Sequence, residues 1–213
     1  KKHDLPKFRA KQVWKWLWGK RATNFEEMTS LSKQMRDLFA NYYVINAVKI
    51  HKAERSTDGT IKYSLQLHDK RKVEGVLIPA KKRLTACVSS QVGCSLDCSF
   101  CATGTLELER NLTYAEIYDQ VFILNEEALA HFGKPLSNIV YMGMGEPLLN
   151  YNNVLESTNF VCSTDGLGMS PKRITVSTSG IAKMIMKLAD DDVKFNLAIS
   201  LHAPNDEKRS QLM

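Results

Sequence analysis

Four short apolar runs, Leu84–Ser89, Asn138–Met144, Arg173–Ser177 and Phe195–Leu201, alternate with stretches of helical periodicity. No other feature constrains the fold as much. Each run has the length and composition of a strand buried on both faces, the pattern of a parallel sheet whose crossovers are helices. After the first run, Thr113 and Glu116 have the spacing of a capping box, Ile117, Val121, Leu124 and Ala128 follow at helical intervals, and Gly133-Lys134-Pro135 ends the segment. Asn153 with Glu156 is expected to cap a second helix, and Ile181, Met184, Ile185 and Leu188 stripe a third. The expected class is α/β, a doubly wound sheet or a barrel, over residues 81–213.

Two smaller regions precede it. In Phe8–Lys20, Val13, Trp14, Leu17 and Trp18 form one stripe with Lys11 and Lys15 off it, and a second helix is expected over Ser32–Tyr42. Residues 1–46 therefore read as a helical accessory domain, its aromatic stripe as core rather than a base-stacking platform. Over residues 47–80 the period changes to two: Ile61, Tyr63, Leu65 and Leu67 alternate with polar residues, Asp58-Gly59 signals a hairpin turn, and a third strand is expected at Lys72–Ile78. This is an antiparallel meander.

Net charge is +6, and residues 1–21 carry eight bases (Lys1, Lys2, Lys7, Arg9, Lys11, Lys15, Lys20, Arg21) against the single acid Asp4. Such an excess would draw a polyanion such as nucleic acid, while a solvated basic helix face is the plainer explanation. No run approaches the roughly 18 apolar residues of a membrane span, and the N-terminus lacks the apolar core of a signal peptide, so a cytoplasmic location and no membrane partner are expected.

Three of the five cysteines, Cys94, Cys98 and Cys101, fall in a C-x3-C-x2-C loop directly after a buried strand. Three thiolates can grip three irons of a cubic cluster and leave the fourth open to a small molecule. Structural zinc normally takes four ligands in pairs, and no second Cys or His pair stands at suitable spacing. Gly143-Met-Gly145-Glu146-Pro147 closes the second strand, where glycines let a ligand approach the backbone. Ser177 and Ser200-Leu201-His202 end the third and fourth strands at the same rim.

These motifs resemble the radical S-adenosylmethionine superfamily. The strings Cys87-Val-Ser-Ser-Gln-Val-Gly-Cys94, Cys101-Ala-Thr-Gly104, Arg110-Asn-Leu-Thr113, Met142–Asn150, Ser177-Thr-Ser-Gly180, Ser200–Asn205 and Leu5–Trp14 resemble one branch, the dual-specificity adenine-C2 methyltransferases of 23S rRNA and tRNA. The resemblance implies a partial (β/α) barrel and two cofactors, a [4Fe-4S] cluster on Cys94, Cys98 and Cys101 and S-adenosylmethionine. The latter would contact Gly145, Glu146, Ser177, Ser200, Leu201 and His202. It further implies methylation of carbon 2 of adenosine through a methylated C-terminal cysteine, with Glu74 as proton acceptor and Cys87 as the resolving thiol that forms a disulfide with that second cysteine. Cys87 could equally be buried packing, and Glu74 a surface carboxylate. Cys162 matches no functional position. The expected partners are 23S rRNA, tRNA and a flavodoxin-type electron donor, and the expected state is a monomer. Since the family's last barrel units and methyl-carrying cysteine have no counterpart here, residues 1–213 are expected to be a fragment unable to methylate RNA. The alternatives are a carbon-8 rRNA adenine methyltransferase of the antibiotic-resistance type and a non-catalytic zinc-bound RNA-binding module.

Overall fold

The computed structural model describes residues 5–213; Lys1, Lys2 and Asp4 of the basic segment lie outside the described residues. Helix α1 (Lys7–Trp14) continues without a break into a π-helical turn, Lys15–Gly19, and α2 (Lys33–Tyr42) starts at Ser32, whose hydroxyl accepts from the Met35 N–H. Around buried Ala22, Met28 and Leu31, these helices pack Val13, Leu17, Met35 and Phe39 into a small core of their own.

The expected strands form one sheet. Its order is β1 (Lys49–Arg55), β2 (Ile61–Gln66), β3 (Lys72–Pro79), β4 (Leu84–Cys87), β7 (Asn138–Tyr141), β8 (Ile174–Thr178) and β9 (Asn196–Ile199). The meander pairs antiparallel as far as β4, and β4, β7, β8 and β9 run parallel. A separate two-stranded ladder joins β5 (Gln91–Val92) to β6 (Arg110–Asn111).

One face of the sheet is covered by α3 (Tyr114–Phe132), α4 (Tyr151–Cys162) and α5 (Ala182–Asp190). Towards them point Tyr63, whose hydroxyl donates to Glu127 at 2.9 Å, and Tyr141, whose hydroxyl pairs with Ser157 at 2.8 Å. Gly75 is fitted to this face, because a Cβ there would sit 3.1 Å from Leu65 and 3.3 Å from Leu124. Ile181, Met184 and Ile185 of the α5 segment pack on the same core. The opposite face is open and carries the site.

Helix α3 begins with the expected capping box on Thr113 and Glu116 and ends at Gly133 with φ 64°. The expected Asn153 cap is not found. A 3-10 turn, Pro147–Asn150, runs straight into α4, so Asn150 takes the N-cap position and Asn153 falls inside the first turn. Its side chain bonds outward, Nδ2 to Asn150 Oδ1 at 2.8 Å and Oδ1 to the Tyr114 N–H at 3.1 Å, tying the starts of α3 and α4 together. A further helix, α6 (Asp206–Leu212), is capped by Asn205.

Trp18 stacks on Tyr114 (centroids 5.4 Å apart, 12° between planes) and packs on Phe160 at 4.7 Å, so this end of the stripe joins the helical segment to α3 and α4, while Trp14 stays 40% exposed. Arg21 also leaves the basic face. It pairs with half-buried Asp119 at 3.4 Å and donates to the Val48 carbonyl, while Lys7, Lys11 and Lys15 remain exposed along one side of the helix.

Arg110 joins the β5–β6 ladder to the body by a fork onto Glu116 (2.9 and 2.7 Å) and a bond to Asp69 at 2.8 Å. Burial pushes both carboxyls up, but the bonds from Arg110, joined by those from Arg71 to Asp69 and from Thr113 to Glu116, together outweigh it. Glu116 ends below its ordinary value and Asp69 falls to about 2. Both carboxylates therefore stabilise the fold above the unfolded carboxyl range, and this contribution fades as pH falls through their lowered values. Glu116→Ala, which removes the fork and leaves Arg110 its bond to Asp69, should cost about 3 kcal/mol in urea unfolding at neutral pH. That cost should shrink as pH falls through the lowered value of Glu116, below which the carboxyl is protonated in both states.

Candidate active site

Segment 88–92 leads from β4 into the cysteine loop and is buried throughout. Every polar group that could be orphaned there is matched from elsewhere in the chain. Gln120 of α3 accepts the Ser89 N–H at 2.9 Å and donates to the Ser89 carbonyl at 3.1 Å. Asn150 donates to the carbonyls of Ser90 (2.8 Å) and Leu112 (2.7 Å). The Ser89 hydroxyl donates to the Glu74 carbonyl at 2.6 Å and accepts from the Met144 N–H at 2.9 Å. Sequence patterns did not reveal Ser89, Gln91, Gln120 or Asn150 as structural parts of the site, because their partners lie 15 to 60 residues away.

The glycines after β7 belong to this junction. A Cβ on Gly143 would come within 2.7 Å of Ser89 Oγ, and one on Gly145 within 2.4 Å of Gln91 Cβ, where φ is already +90°. Gln91 Oε1 accepts the Glu146 N–H at 2.8 Å, while its Nε2 donates to Asn111 Oδ1 at 2.7 Å. Glu146 is buried, and its carboxylate accepts from the N–H groups of Leu148 at 2.9 Å and Ser179 at 2.7 Å. The loops after β4, β7 and β8 are thus tied to one another at the C-terminal rim of the parallel strands, the end at which such sheets bind ligands.

The three loop cysteines sit at this rim, half-buried and unpaired. The Leu96 N–H points at Cys94 Sγ (3.4 Å), the Cys101 N–H bonds the Cys98 carbonyl (3.0 Å), and a Cβ on Gly104 would lie 2.8 Å from that same carbonyl. Burial pushes the Cys94 and Cys98 thiols up. At Cys94 the Leu96 and Glu146 N–H groups oppose this, while Cys101 and the charge of Glu146 add to it. Among the described residues no three His, Cys, Asp or Glu side chains converge as ligands of one metal ion would. Thiolates of a cubane each take a different iron, and a short loop of three thiols with a backbone N–H aimed at sulfur fits that group.

Strand register puts the other predicted residues on the open face. Ser64 stands opposite Glu74, Val76 opposite Cys87, Cys87 opposite Val140, and Ser177 opposite Ala198, and directly opposite residues share a face. Glu74, Cys87 and Ser177 therefore look the same way, with Ser200 continuing the row past β9. Burial pushes the Cys87 thiol up to about 11; the Met142 N–H opposes this and the charge of nearby Glu74 adds to it. Lys62, which sequence patterning left as an unremarkable strand residue, bonds Glu74 Oε1 at 3.1 Å. Leu201 and His202 are exposed, and the His202 ring lies 4.3 Å from that of Phe100 in the cysteine loop. The expected disulfide is not present: Cys87, Cys94, Cys98, Cys101 and Cys162 are all free thiols.

Residues 88–213 match the radical SAM superfamily, and the chain belongs to it. Residues 1–45 match the ribosomal RNA large subunit methyltransferase N-terminal domain. Among curated proteins, the chain is 57% identical over 97% of its length to the "Probable dual-specificity RNA methyltransferase RlmN" of Flavobacterium psychrophilum, covering 59% of that protein. It is 59% identical to the protein of the same name in Cytophaga hutchinsonii, over 97% of this chain and 56% of the relative. To the "Dual-specificity RNA methyltransferase RlmN" of Nitratidesulfovibrio vulgaris strain DP4 it is 48% identical, over 98% of this chain and 59% of the relative. A crystal structure of a radical SAM methyltransferase from Sphaerobacter thermophilus superposes with a TM-score of 0.88 at 40% identity, covering 98% of this chain and 61% of that one. The chain thus spans between 56% and 59% of the length of these curated relatives.

Gly145→Ala should cost about 2–4 kcal/mol, combining the positive φ with the overlap on Gln91. Thermal unfolding of the variant beside the unsubstituted protein checks this.

Proposed function

We propose that the protein to which this chain belongs is a radical S-adenosylmethionine enzyme that methylates carbon 2 of adenosine in 23S rRNA and in tRNA. The observation that carries this reading is the rim itself. Three thiols on one loop stand beside a glycine-rich turn and two serine-bearing strand ends; Gln91, Glu146 and Ser179 bond the start of the cysteine loop to the turn after β7 and the loop after β8, and the Ser200 N–H donates to the Thr178 carbonyl at 2.9 Å. The chain's similarity to RlmN proteins over nearly all its residues supports the substrate class.

Cys94, Cys98 and Cys101 would hold the [4Fe-4S] cluster, and Gly145, Glu146, Ser177, Ser200, Leu201 and His202 would hold S-adenosylmethionine. When bound, the cluster supplies the one-electron reduction of a sulfonium that lets an electron-poor carbon be methylated by a radical route. Carbon 2 of adenine is not nucleophilic, so direct displacement from the sulfonium methyl would fail there. Glu74 is held at Oε1 by Lys62, and its Oε2 is left to take the proton that the base must lose. Cys87 faces the same space from the next strand and supplies the resolving sulfur. The second cysteine of that exchange has no counterpart among the five here, since Cys162 ends α4 beneath the sheet. Exposed Lys7, Lys11 and Lys15 would meet RNA phosphates. No helix among the described residues is long and apolar enough to cross a membrane, and we place the protein in the cytoplasm, as a monomer served by a flavodoxin-type reductant.

Methyl transfer to 23S rRNA and tRNA by the protein at the full length of its relatives tests the reading. Nucleoside digestion and mass analysis should find 2-methyladenosine; 8-methyladenosine would favour the carbon-8 alternative, and zinc without iron the binding module. Glu74→Gln should slow product formation by about 10²-fold or more while leaving iron content unchanged. Equal loss of iron would make Glu74 a structural residue.

A further inference from the structure

The open face of the meander carries lysines beside Glu74, and strand register sets them out in rows. Lys49 stands opposite Gln66, and Gln66 opposite Lys72; the next row is Lys52, Ser64 and Glu74. Directly opposite residues share a face, as do residues two apart on a strand. Lys49, Lys52 and Lys72 therefore look the same way as Glu74 and Cys87. Because β3 runs antiparallel to β4, with Val76 opposite Cys87, Lys72 lies beyond Glu74 towards the rim. The register of β1 shifts between Ile50 and Lys52, so His51 is an extra residue in a bulge. Its ring lies 2.8 Å from Lys72 Nζ. An ammonium has only protons to give, so the ring nitrogen accepts, and the contact holds Lys72 over the open face.

These lysines differ in how they are paired. Lys52 meets Glu54 at 2.5 Å and Lys62 meets Glu74 at 3.1 Å. Among the described residues no carboxylate pairs with Lys49 or Lys72, and both are exposed. Charged residues on an edge strand can serve only to stop it pairing with another chain. That accounts for Lys49, since β1 is the edge of the sheet, but not for Lys72, because β3 is paired to β2 on one side and β4 on the other.

We propose that Lys49 and Lys72 form a seat for the RNA backbone beside the target adenosine, holding phosphates while the base lies over Glu74 and Cys87. Two residues along a strand span about 7 Å, so the ammonium of Lys72 is anchored about that far from Glu74 on the same face, within the reach of one nucleotide from base to phosphate. Contacts to phosphate fix the position of a nucleic acid without reading its sequence. That property suits a site that takes its adenosine from two different RNAs. The inference rests on the RNA reading above and adds where on the sheet the backbone runs.

The test uses the protein at the full length of its relatives and a 23S rRNA fragment containing the target adenosine, with binding read by fluorescence anisotropy over a series of salt concentrations. Each phosphate contact contributes roughly 0.7–0.9 to the slope of log affinity against log salt. Lys49→Gln and Lys72→Gln should each reduce the slope by about that much, and the double variant by about twice as much, weakening binding about tenfold or more near physiological salt. Lys72→Arg should keep the original slope. Lys183→Gln, which removes an exposed charge from α5 on the covered face, should leave slope and affinity in place. In methylation assays the double variant should raise KM for the RNA while kcat and iron content hold. An unchanged slope in the double variant would overturn the seat, as would an equal change in Lys183→Gln or a fall in kcat with KM unmoved. If the unsubstituted protein neither bound nor methylated the RNA, the functional reading itself would fall, and the seat with it.

Discussion

The structure depends on one buried strand exit. Between Val88 and Val92 the chain leaves the sheet while still enclosed, so each backbone group must find a partner inside the protein. Gln120, Asn150 and the turn around Met144 supply those partners. Because the same segment leads directly into Cys94, the bonds that satisfy it also fix where the cysteine loop begins. Gly143 and Gly145 are required for the same reason, since any side chain at either would occupy the space taken by the exit.

From this junction the site extends in two directions. Along the rim, Glu146 carries the order of the β7 turn to Ser179, and α6 carries it back to the cysteine loop, Arg209 donating to the Ser179 carbonyl and the Leu212 carbonyl accepting the Ser99 N–H. Across the sheet, register places Glu74 and Cys87 on the open face while Val73, Gly75 and Leu77 are buried. A carboxylate and a thiol thus share one space with the rim without belonging to any contiguous motif. The helical segment is joined to this body by aromatic packing of Trp18 and by the Arg21–Asp119 pair.

Much of this was legible in the sequence because it is local. Alternation at Ile61–Leu67, the Thr113–Glu116 box, Gly133 and the spacing of the three cysteines each express a constraint satisfied within a few residues. What was missed depends on distance or on competition between local solutions. Asn153 has the composition of a cap, but the 3-10 turn begun by Pro147 places the helix start earlier and frees its side chain for Tyr114. Arg21 reads as one base among eight until Asp119, far along the chain, is folded against it. Gln91 and Gln120 look like ordinary polar residues, since neither spacing nor hydropathy announces that a buried glutamine is satisfying a strand exit. The meander and the parallel strands share one sheet, because Pro79 pairs with Leu84 across a short turn.

Everything chemical in this account follows from three cysteine sulfurs each taking one iron and leaving another for the sulfonium nucleoside. Mössbauer spectroscopy of protein loaded anaerobically with isotope-enriched iron reads that division directly. On addition of S-adenosylmethionine, one iron site in each cluster should change its isomer shift while three stay as they were. Four sites that remain alike and unaffected by the ligand, or a fourth protein ligand on the remaining iron, would contradict it.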